Sequence, residues 1–233
     1  MTITVISGIL ISDQIGQIIK WEVITIYSKF NNLKLEKQEQ IINAAIKEFV
    51  QSGFDKASTN EIVKRANISK GSLFNYFNSK KDLYLYLIEY SRNIIRDLND
   101  QIDLTEEDLF NRIEKAGLEK FYVQQKHPLV FDFFASLKHE ESVEVRETVK
   151  QSIDYIYNVA IKRLYQDIDY SKFRDEIDVE KAIEILNWTM FGLGDKALEQ
   201  IVTFEDVDDF GEYYFEEWKK YAEILKYSFY KQS

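Results

Sequence analysis

Cysteine is absent from this 233-residue sequence, and proline occurs only once. Without cysteine, disulfides and thiolate chemistry are excluded, and a reducing compartment suits the chain, so we expect a cytoplasmic protein. Glycine is also scarce, with eight residues, which leaves few positions that would break a helix. Glu, Lys, Leu and Ile are abundant instead, and 45% of the residues are apolar. This composition predicts an all-α protein with a packed core.

The sequence has little of what an enzyme or a metal site would need. Its two histidines, His127 and His139, form no two-histidine metal motif and flank no nucleophilic serine. Residues 192–195 contain two glycines but are too short to form a nucleotide-binding loop. We therefore predict that the protein is not an enzyme, with no catalytic residues, no metal and no cofactor.

Negative charge predominates in the chain as a whole but not along its whole length. The formal net charge is -10, yet residues 31–90 carry nine Lys and Arg against seven Asp and Glu, a balance of +2. Residues 91–233 carry 19 basic against 31 acidic groups. Because salt screens phosphate attraction within about 10 Å, the local balance matters more than the total. The first segment is compatible with a nucleic-acid partner, and the acidic part is interpreted as solvated helix faces.

Apolar residues recur at three- and four-residue spacing through most of the chain from residue 35 onward. In the first such segment Ile41, Ala45 and Phe49 share one helix face, and Gly53 predicts the end of that helix. Pro128 is expected to stop a later helix, because proline removes a backbone donor. The further predicted helices cover residues 59–66, 70–77, 80–98, 106–125, 129–137, 140–167, 178–202 and 206–230.

Two short helices, separated by a three-residue turn, are predicted between residues 59 and 77. Thr59 is predicted to cap the first and Ser69 the second, because hydroxyl oxygens accept hydrogen bonds from the first turn of a helix. Leu73 and Phe77 are predicted to face the core, which leaves small, polar and aromatic residues on the outer face of the second helix. This arrangement is typical of a helix-turn-helix that places its second helix in the DNA major groove.

The run of residues 41–83 resembles the TetR/AcrR family of bacterial transcriptional regulators. The similarity lies in the segment IINAAIKEF, in Gly53 and Phe54, in residues 59–66 and in the stretch SKGSLFNYF that begins at Ser69. It covers roughly a quarter of the chain, and the cap, glycine, aromatic and lysine positions all agree in order. The resemblance implies a homodimeric repressor that reads a palindromic operator with paired N-terminal domains. A ligand that binds in the C-terminal domain would then weaken the binding of the repressor to its operator.

Elementary chemistry suggests what several of these side chains would do on DNA. Thr59 opens a helix whose free N–H groups can face a phosphate. Lys70 can reach guanine acceptors or a phosphate, and Gly71 allows the backbone to approach the duplex closely. Asn75 is predicted to pair with adenine through two hydrogen bonds, and a phosphate or a water molecule is its alternative partner.

The resemblance adds two phosphate contacts, Tyr76 and Lys80, which would fix the register of the protein on DNA without reading sequence. Position 74 is Phe where many relatives carry tyrosine, so a phosphate contact there is not carried over, although the ring can still meet a thymine methyl or a sugar. The predicted DNA contacts are Thr59, Ser69, Lys70, Gly71, Ser72, Phe74, Asn75, Tyr76 and Lys80.

Residues 1–30 differ in character from the remainder of the chain. They are rich in Ile, and no Lys or Arg precedes Lys20, which argues against a secretory signal. Polar residues 12–14 interrupt the apolar run that a transmembrane helix would need. We expect a mis-assigned upstream start or a non-native leader; the alternative is an added helix or strand that packs on the DNA-binding domain. The predicted domains are an extension at 1–30, a helix-turn-helix domain at 31–80 and a helical effector-binding and dimerisation domain at 81–233.

The C-terminal helices supply many aromatic residues. Ligand pockets are mostly apolar with a few placed polar groups. Phe134, Tyr155, Trp188 and Phe191 fall near the middles of their predicted helices, and we predict them as pocket residues, with plain core as the alternative for each. Such a lining would suit a small apolar or amphiphilic effector, for example a fatty acyl compound or an amphiphilic drug.

The last two predicted helices carry apolar stripes. Two such helices from each of two subunits can form a four-helix interface around a two-fold axis, so we predict a homodimer. For the stripe on the final helix, partner contact and intramolecular core both remain open. That stripe comprises Tyr214, Trp218, Tyr221, Leu225 and Phe229.

The sequence therefore predicts a DNA-binding transcriptional regulator, in the form of a homodimeric repressor that a ligand releases from a palindromic operator. The alternative is a helical DNA-binding or interaction protein of the same fold that has no small-molecule effector. A membrane partner is not expected.

Overall fold

A computed structural model describes residues 27–103, 105, 108–200 and 207–232, and it confirms the all-α fold class. Two short 3-10 turns lie at Leu137–His139 and Tyr170–Lys172. No helix in the described ranges has both the length and the apolar content to cross a membrane. The helices are α1 (Ser28–Asn31), α2 (Leu35–Lys56), α3 (Thr59–Arg65), α4 (Lys70–Tyr76), α5 (Lys80–Gln101), α6 (Leu109–Lys126), α7 (Pro128–Ser136), α8 (Arg146–Leu164), α9 (Val179–Gln200) and α10 (Val207–Phe229).

Most helix boundaries agree with the sequence to within a few residues, and two have clear physical causes. Gly53 has φ +68° and ends the regular part of α2, as predicted, because glycine adopts this conformation at little cost. Pro128 stops α6 and then opens α7 at its first turn, where a missing N–H costs nothing. Helix α8 begins at Arg146 rather than near residue 140.

The described residues fold into two compact units. The first comprises the described chain up to Ile94 together with His127–Asp154, and the second comprises Ile95–Lys126 and the described chain from Tyr155 onward. This division differs from the predicted boundary at residue 80. The difference arises because α7 packs against α2, so a segment more than 70 residues further along the chain completes the core around the helix-turn-helix.

The core of the first unit includes aromatic residues that the sequence prediction placed outside the domain. Phe30 in α1 is 0% exposed, and its ring lies 4.8 Å from that of Phe77 and 5.2 Å from that of Tyr86. The Tyr27 hydroxyl donates to the carbonyl of Asp82 at 3.2 Å. Tyr27 and Phe30 therefore pack with the core of the first unit, ahead of the boundary expected at residue 31. The expectation of a mis-assigned start or non-native leader, and its alternative of an added helix or strand, fall mainly on residues outside the described ranges. Residues 1–26 lie outside the described residues.

The second unit has its own core, built from α6, α9 and α10 and from the loops between α8 and α9. In the stripe of the final helix, Trp218 and Phe229 are buried in this core, and Tyr214 and Leu225 pack against it, whereas Tyr221 is exposed. Most of that stripe is thus intramolecular core.

Asp108 holds together three parts of the second unit. Its Oδ1 accepts hydrogen bonds from the backbone N–H groups of Phe110 and Asn111 at 3.1 and 3.2 Å, at the start of α6. Its Oδ2 lies 3.2 Å from Lys226 Nζ and 3.6 Å from Lys172 Nζ. Burial raises the pKa of this carboxyl, but the bond from Asn111 and the ammonium of Lys226 outweigh it, and the net pKa lies below its ordinary value.

We expect Asp108→Asn to reduce the free energy of unfolding at pH 7 by about 1–3 kcal/mol, the usual worth of hydrogen bonds to a charged group. Because the folded pKa is lowered, this stabilisation is full above the ordinary pKa of 3.8 and is lost as the pH falls through the folded value. Urea unfolding at a series of pH values should therefore show the gap between variant and wild type closing in acid. The exposed Asp97→Asn is the control, and a gap that stays constant with pH would contradict the prediction.

Candidate nucleic-acid interface

Ser69 caps the second helix of the helix-turn-helix, as predicted. The backbone N–H of Ser72 donates to Ser69 Oγ at 3.0 Å, and the two hydroxyl oxygens lie 2.8 Å apart. Ser69 itself has an extended backbone, and α4, which we call the recognition helix, starts at the next residue. Both hydroxyls lie at the N-terminus of this helix, the end where free N–H groups carry partial positive charge.

The cap of the first helix differs from the prediction. Ser58, not Thr59, is the cap residue, and its Oγ accepts from the backbone N–H of Glu61 at 3.4 Å. The cause lies in Glu48, whose Oε1 accepts from the Ser58 N–H at 2.9 Å and fixes Ser58 in an extended conformation. Thr59 is therefore the first helical residue, half-buried, with its own N–H in the free first turn of α3.

The recognition helix presents a mixed polar and aromatic face to solvent. Leu73 and Phe77 are buried in the core of the first unit, as predicted. Helical geometry then turns the intervening side chains outward. Ser69, Lys70, Gly71, Phe74 and Asn75 are exposed, and Ser72 is half-buried.

Tyr76 and Lys80, the two predicted phosphate contacts, are both half-buried. The ring of Tyr76 is half-buried and meets the ring of Phe30 edge-on, 6.0 Å between centroids. Lys80 Nζ donates to the carbonyl oxygens of Phe54 at 2.7 Å, Asp55 at 3.0 Å and Ala57 at 3.3 Å. An ammonium has three donors, so a phosphate must displace one of these carbonyls to bind it. The phosphate contacts of both residues stay predictions.

Two lysines donate hydrogen bonds to backbone carbonyl groups within the helix-turn-helix domain. Lys80 binds the carbonyl groups that follow the kink in α2. Lys37 Nζ donates to the carbonyl oxygens of Ala66 at 3.1 Å and Asn67 at 3.2 Å, at the end of α3. Both ammonium groups satisfy carbonyls that a helix end leaves without a partner, which fixes the angle between successive helices.

Glu48 is a buried carboxylate that the sequence analysis did not single out. Its Oε2 lies 3.5 Å from Arg65 Nη1, so one side chain links α2, the cap of α3 and the end of α3. The position follows Ala45 by three residues and precedes Phe49, on the apolar side of α2. A charged residue within an apolar stripe is the signal that could have identified it.

Glu140 makes a long-range contact with the helix-turn-helix domain. Its Oε2 accepts from the backbone N–H of Phe54 at 2.8 Å and from the hydroxyl of Tyr84 at 3.3 Å. Burial, followed by the charge of Glu140, raises the pKa of Tyr84, so the hydroxyl stays protonated and remains a donor. Glu140 Oε1 also accepts from the N–H of Ser142 at 2.8 Å, which holds residues 140–142 outside α8.

The four predicted pocket residues belong to different units. Phe134 is half-buried and packs against the core of the first unit. Tyr155, Trp188 and Phe191 lie in the second unit and are 41%, 69% and 37% exposed within the single chain. The ring of Phe191 lies 5.1 Å from that of Tyr157 on α8.

Comparison with known proteins identifies the family. The family described as bacterial regulatory proteins, tetR family, matches residues 41–87, the segment from α2 to the first half of α5. The HTH-type transcriptional regulator YvdT of Bacillus subtilis is 31% identical over 133 residues, which cover 54% of this chain and 67% of YvdT. This chain belongs to the TetR family.

As a TetR-family member, the protein is a DNA-binding transcriptional regulator and not an enzyme. A second relative, the fatty acid metabolism regulator protein of Bacillus subtilis, is 23% identical over 164 residues, 67% of this chain and 81% of the relative. The crystal structure of a TetR family transcriptional regulator from Chloroflexus aurantiacus has the same fold, with a TM-score of 0.64 and 21% identity. The match covers 88% of this chain and 98% of the other.

Gly71→Ala should raise the stability of this TetR-family regulator and weaken its DNA binding. An added Cβ would meet Ser69 Oγ at 3.8 Å, an ordinary contact, so the free energy of unfolding should rise by about 0.5–1 kcal/mol. DNA affinity is expected to fall about tenfold, or about 1.4 kcal/mol, because the methyl group occupies space that a close backbone approach needs. Thermal unfolding and fluorescence anisotropy with labelled operator measure the two quantities.

Gly194→Ala in α9 is the matched control, since its Cβ would meet the Tyr214 hydroxyl at 3.7 Å, far from the recognition helix along the chain. It should raise stability without weakening DNA binding. Equal operator affinity for Gly71→Ala and wild type would show that no close backbone approach occurs at this position.

Proposed function

We propose that this TetR-family regulator is a homodimeric repressor that binds a palindromic DNA operator in the cytoplasm and releases it when a small apolar or amphiphilic effector binds. The observation that carries the proposal is the recognition helix itself. The helix is capped by Ser69 and exposes Lys70, Gly71, Phe74 and Asn75, while Leu73 and Phe77 fix its other face in the core.

The proposed contacts follow from the position of each side chain. Lys70 and Asn75 face the base edges, and Gly71 lets the backbone come close. Phe74 meets a thymine methyl or a sugar. The hydroxyls of Ser69, Ser72 and Tyr76, the helix N-terminus at Thr59 and the ammonium of Lys80 hold phosphates and so set the register.

Homodimerisation is proposed through the exposed apolar face of the last two helices, which we define as Ile185, Trp188, Ile224 and Tyr227. Within the chain Trp188 is 69%, Ile224 63% and Tyr227 72% exposed. Each helix contributes residues three apart, which lie on one side of it. Large apolar side chains gathered on exposed helix faces are typical of protein–protein interfaces.

The two-fold dimer determines the form of the operator. A symmetric pair of recognition helices reads two inverted half-sites, and their spacing is expected near one turn of the duplex, about 34–36 Å, or a multiple of it. This proposal assigns Trp188 to the subunit interface. Tyr155 and Phe191, both in the second unit, remain proposed effector-pocket residues, whereas Phe134 is assigned to the core of the first unit.

An apolar or amphiphilic effector is supported by two observations. The chain contains 15 tyrosines and 16 phenylalanines, a generous supply of apolar lining, and one relative is named as a fatty acid metabolism regulator. We therefore propose a fatty acyl compound as the first class of molecule to test.

Selection of bound sequences from random DNA by the purified full-length chain tests the function. We expect enrichment of a palindrome, and release of that DNA when the experiment is repeated with medium-chain and long-chain fatty acyl compounds and with cell extract. Lys70→Ala should lose enrichment, whereas the exposed Lys219→Ala should retain it. Enrichment without release by any addition would indicate a DNA-binding protein of the same fold that has no effector. No enrichment at low salt would contradict operator binding.

A further inference from the structure

A lysine of α1 contacts the proposed DNA-binding face of the recognition helix. Lys29 Nζ donates a hydrogen bond to Asn75 Oδ1 at 2.8 Å, between two exposed side chains that are 46 residues apart in the sequence. The pair lies outside the core, and Phe74 and Lys70 of the same helix are also exposed.

The backbone of α1 is firmly anchored, so Lys29 is presented at a defined place. Phe30, its neighbour, is fully buried and packs its ring against those of Tyr76 and Phe77. At the C-terminal end of the short helix, Gln38 Nε2 donates to the carbonyl oxygens of Asn31 at 3.1 Å and of Leu33 at 2.8 Å. A lysine held in this way loses less entropy on binding Asn75 than one on a free chain would.

The chemistry of the two groups fixes the orientation of the amide. A lysine ammonium has donors and no acceptor, so the Asn75 atom that faces it must be the carbonyl oxygen. The amide NH₂ of Asn75 is then free for DNA, whereas the second lone pair of Oδ1 lies beside a positive charge. Together the NH₂ and the remaining N–H groups of Lys29 form a surface of hydrogen-bond donors with one positive charge.

Such a surface discriminates between the two purines in the major groove. Bidentate recognition of adenine needs an acceptor for its N6 amino group as well as a donor for N7, and the Asn75 acceptor is engaged by a cation that repels that amino group. Guanine presents two acceptors, O6 and N7, at the same edge. Resting on the proposed function, we propose that Lys29 fixes Asn75 as a donor and thereby makes the recognition helix prefer guanine over adenine at one position of each half-site. This replaces the sequence expectation that Asn75 pairs with adenine.

The proposal is tested by competition binding of the full-length chain to selected operators that carry each base in turn at every position. We expect wild type to prefer guanine over adenine about tenfold at one position per half-site, the size of one good base contact. Lys29→Met frees the amide oxygen, so the ratio should shift toward adenine by at least about fivefold at that position. Lys29→Arg, which also offers only donors, should retain the guanine preference.

Asn75→Ala should abolish the preference, and adding Lys29→Met to it should change no base ratio further. Lys64→Met removes the same charge from α3 and should leave all base ratios unchanged. Thermal unfolding of each variant verifies that the fold is intact, which is expected because both side chains of the pair are exposed.

Two results would overturn the inference while leaving operator binding intact. The first is that Lys29→Met weakens binding to all four bases equally, which would make Lys29 a phosphate contact. The second is a wild-type preference for adenine at the position that responds to Asn75→Ala. If wild type binds no duplex specifically, the proposed function itself fails, and this outcome is distinct from both.

Discussion

Replacing Ile224 by glutamate is expected to convert the regulator to monomers and to lower its operator affinity by at least about 100-fold. The affinity falls because two linked half-site contacts, which reinforce each other, become independent. Ile224 is 63% exposed and belongs to the exposed apolar face of the last two helices, where a carboxylate buried in the interface without a partner would be costly. Sedimentation velocity measures the mass, and anisotropy with a full palindrome measures the affinity.

Lys219→Gln is the matched control for this variant. It lowers the net charge by the same one unit on the same helix, but it lies about 140° away from Ile224 around the helix axis. Its oligomeric state and operator affinity should equal those of wild type. A dimer that persists in Ile224→Glu would place the subunit interface on another surface.

Phe30→Ala is expected to destabilise the DNA-binding unit by about 3–5 kcal/mol, the usual cost of deleting a fully buried phenylalanine. The ring is 0% exposed and contacts the rings of Tyr76, Phe77 and Tyr86. Its loss leaves a cavity between α1 and the recognition helix, so operator binding should weaken together with stability. Urea unfolding, followed by far-ultraviolet circular dichroism, measures the change.

Leu35→Ala provides the comparison, since it removes an apolar side chain that is largely exposed five residues further along the chain. Its effect should stay within about 0.5 kcal/mol of wild type. A similarly small effect for Phe30→Ala would mean that α1 is not part of the folded domain.

The features that the sequence predicted well are those that local chemistry determines. The spacing of Leu73 and Phe77 fixes which side of the recognition helix is buried, and Ser69 caps that helix through a bond to the N–H three residues later. Gly53 ends the regular part of α2 because few other residues adopt its backbone conformation. In each case the interacting groups lie within a few residues of one another.

The features that the sequence did not predict depend on distant partners. Two adjacent hydroxyl residues could cap α3, and the choice of Ser58 over Thr59 is made by Glu48, ten residues earlier. The sequence places Lys80 at the surface, yet its ammonium group donates to carbonyl groups 23–26 residues away. Phe30 follows an Ile-rich segment of weak periodicity, so no pattern there indicates that its ring enters the core.

The bond between Glu140 and the N–H of Phe54 has a consequence for engineering sensors from this regulator. A chimera joined near residue 80 would separate the DNA-binding segment from Glu140, whose carboxylate accepts from the N–H that follows the kink in α2, and from α7, which packs against α2. Such a chimera is expected to express poorly, whichever effector-binding domain is fused to it. A junction after residue 94, with residues 127–154 taken from the same parent protein, would keep the first unit intact.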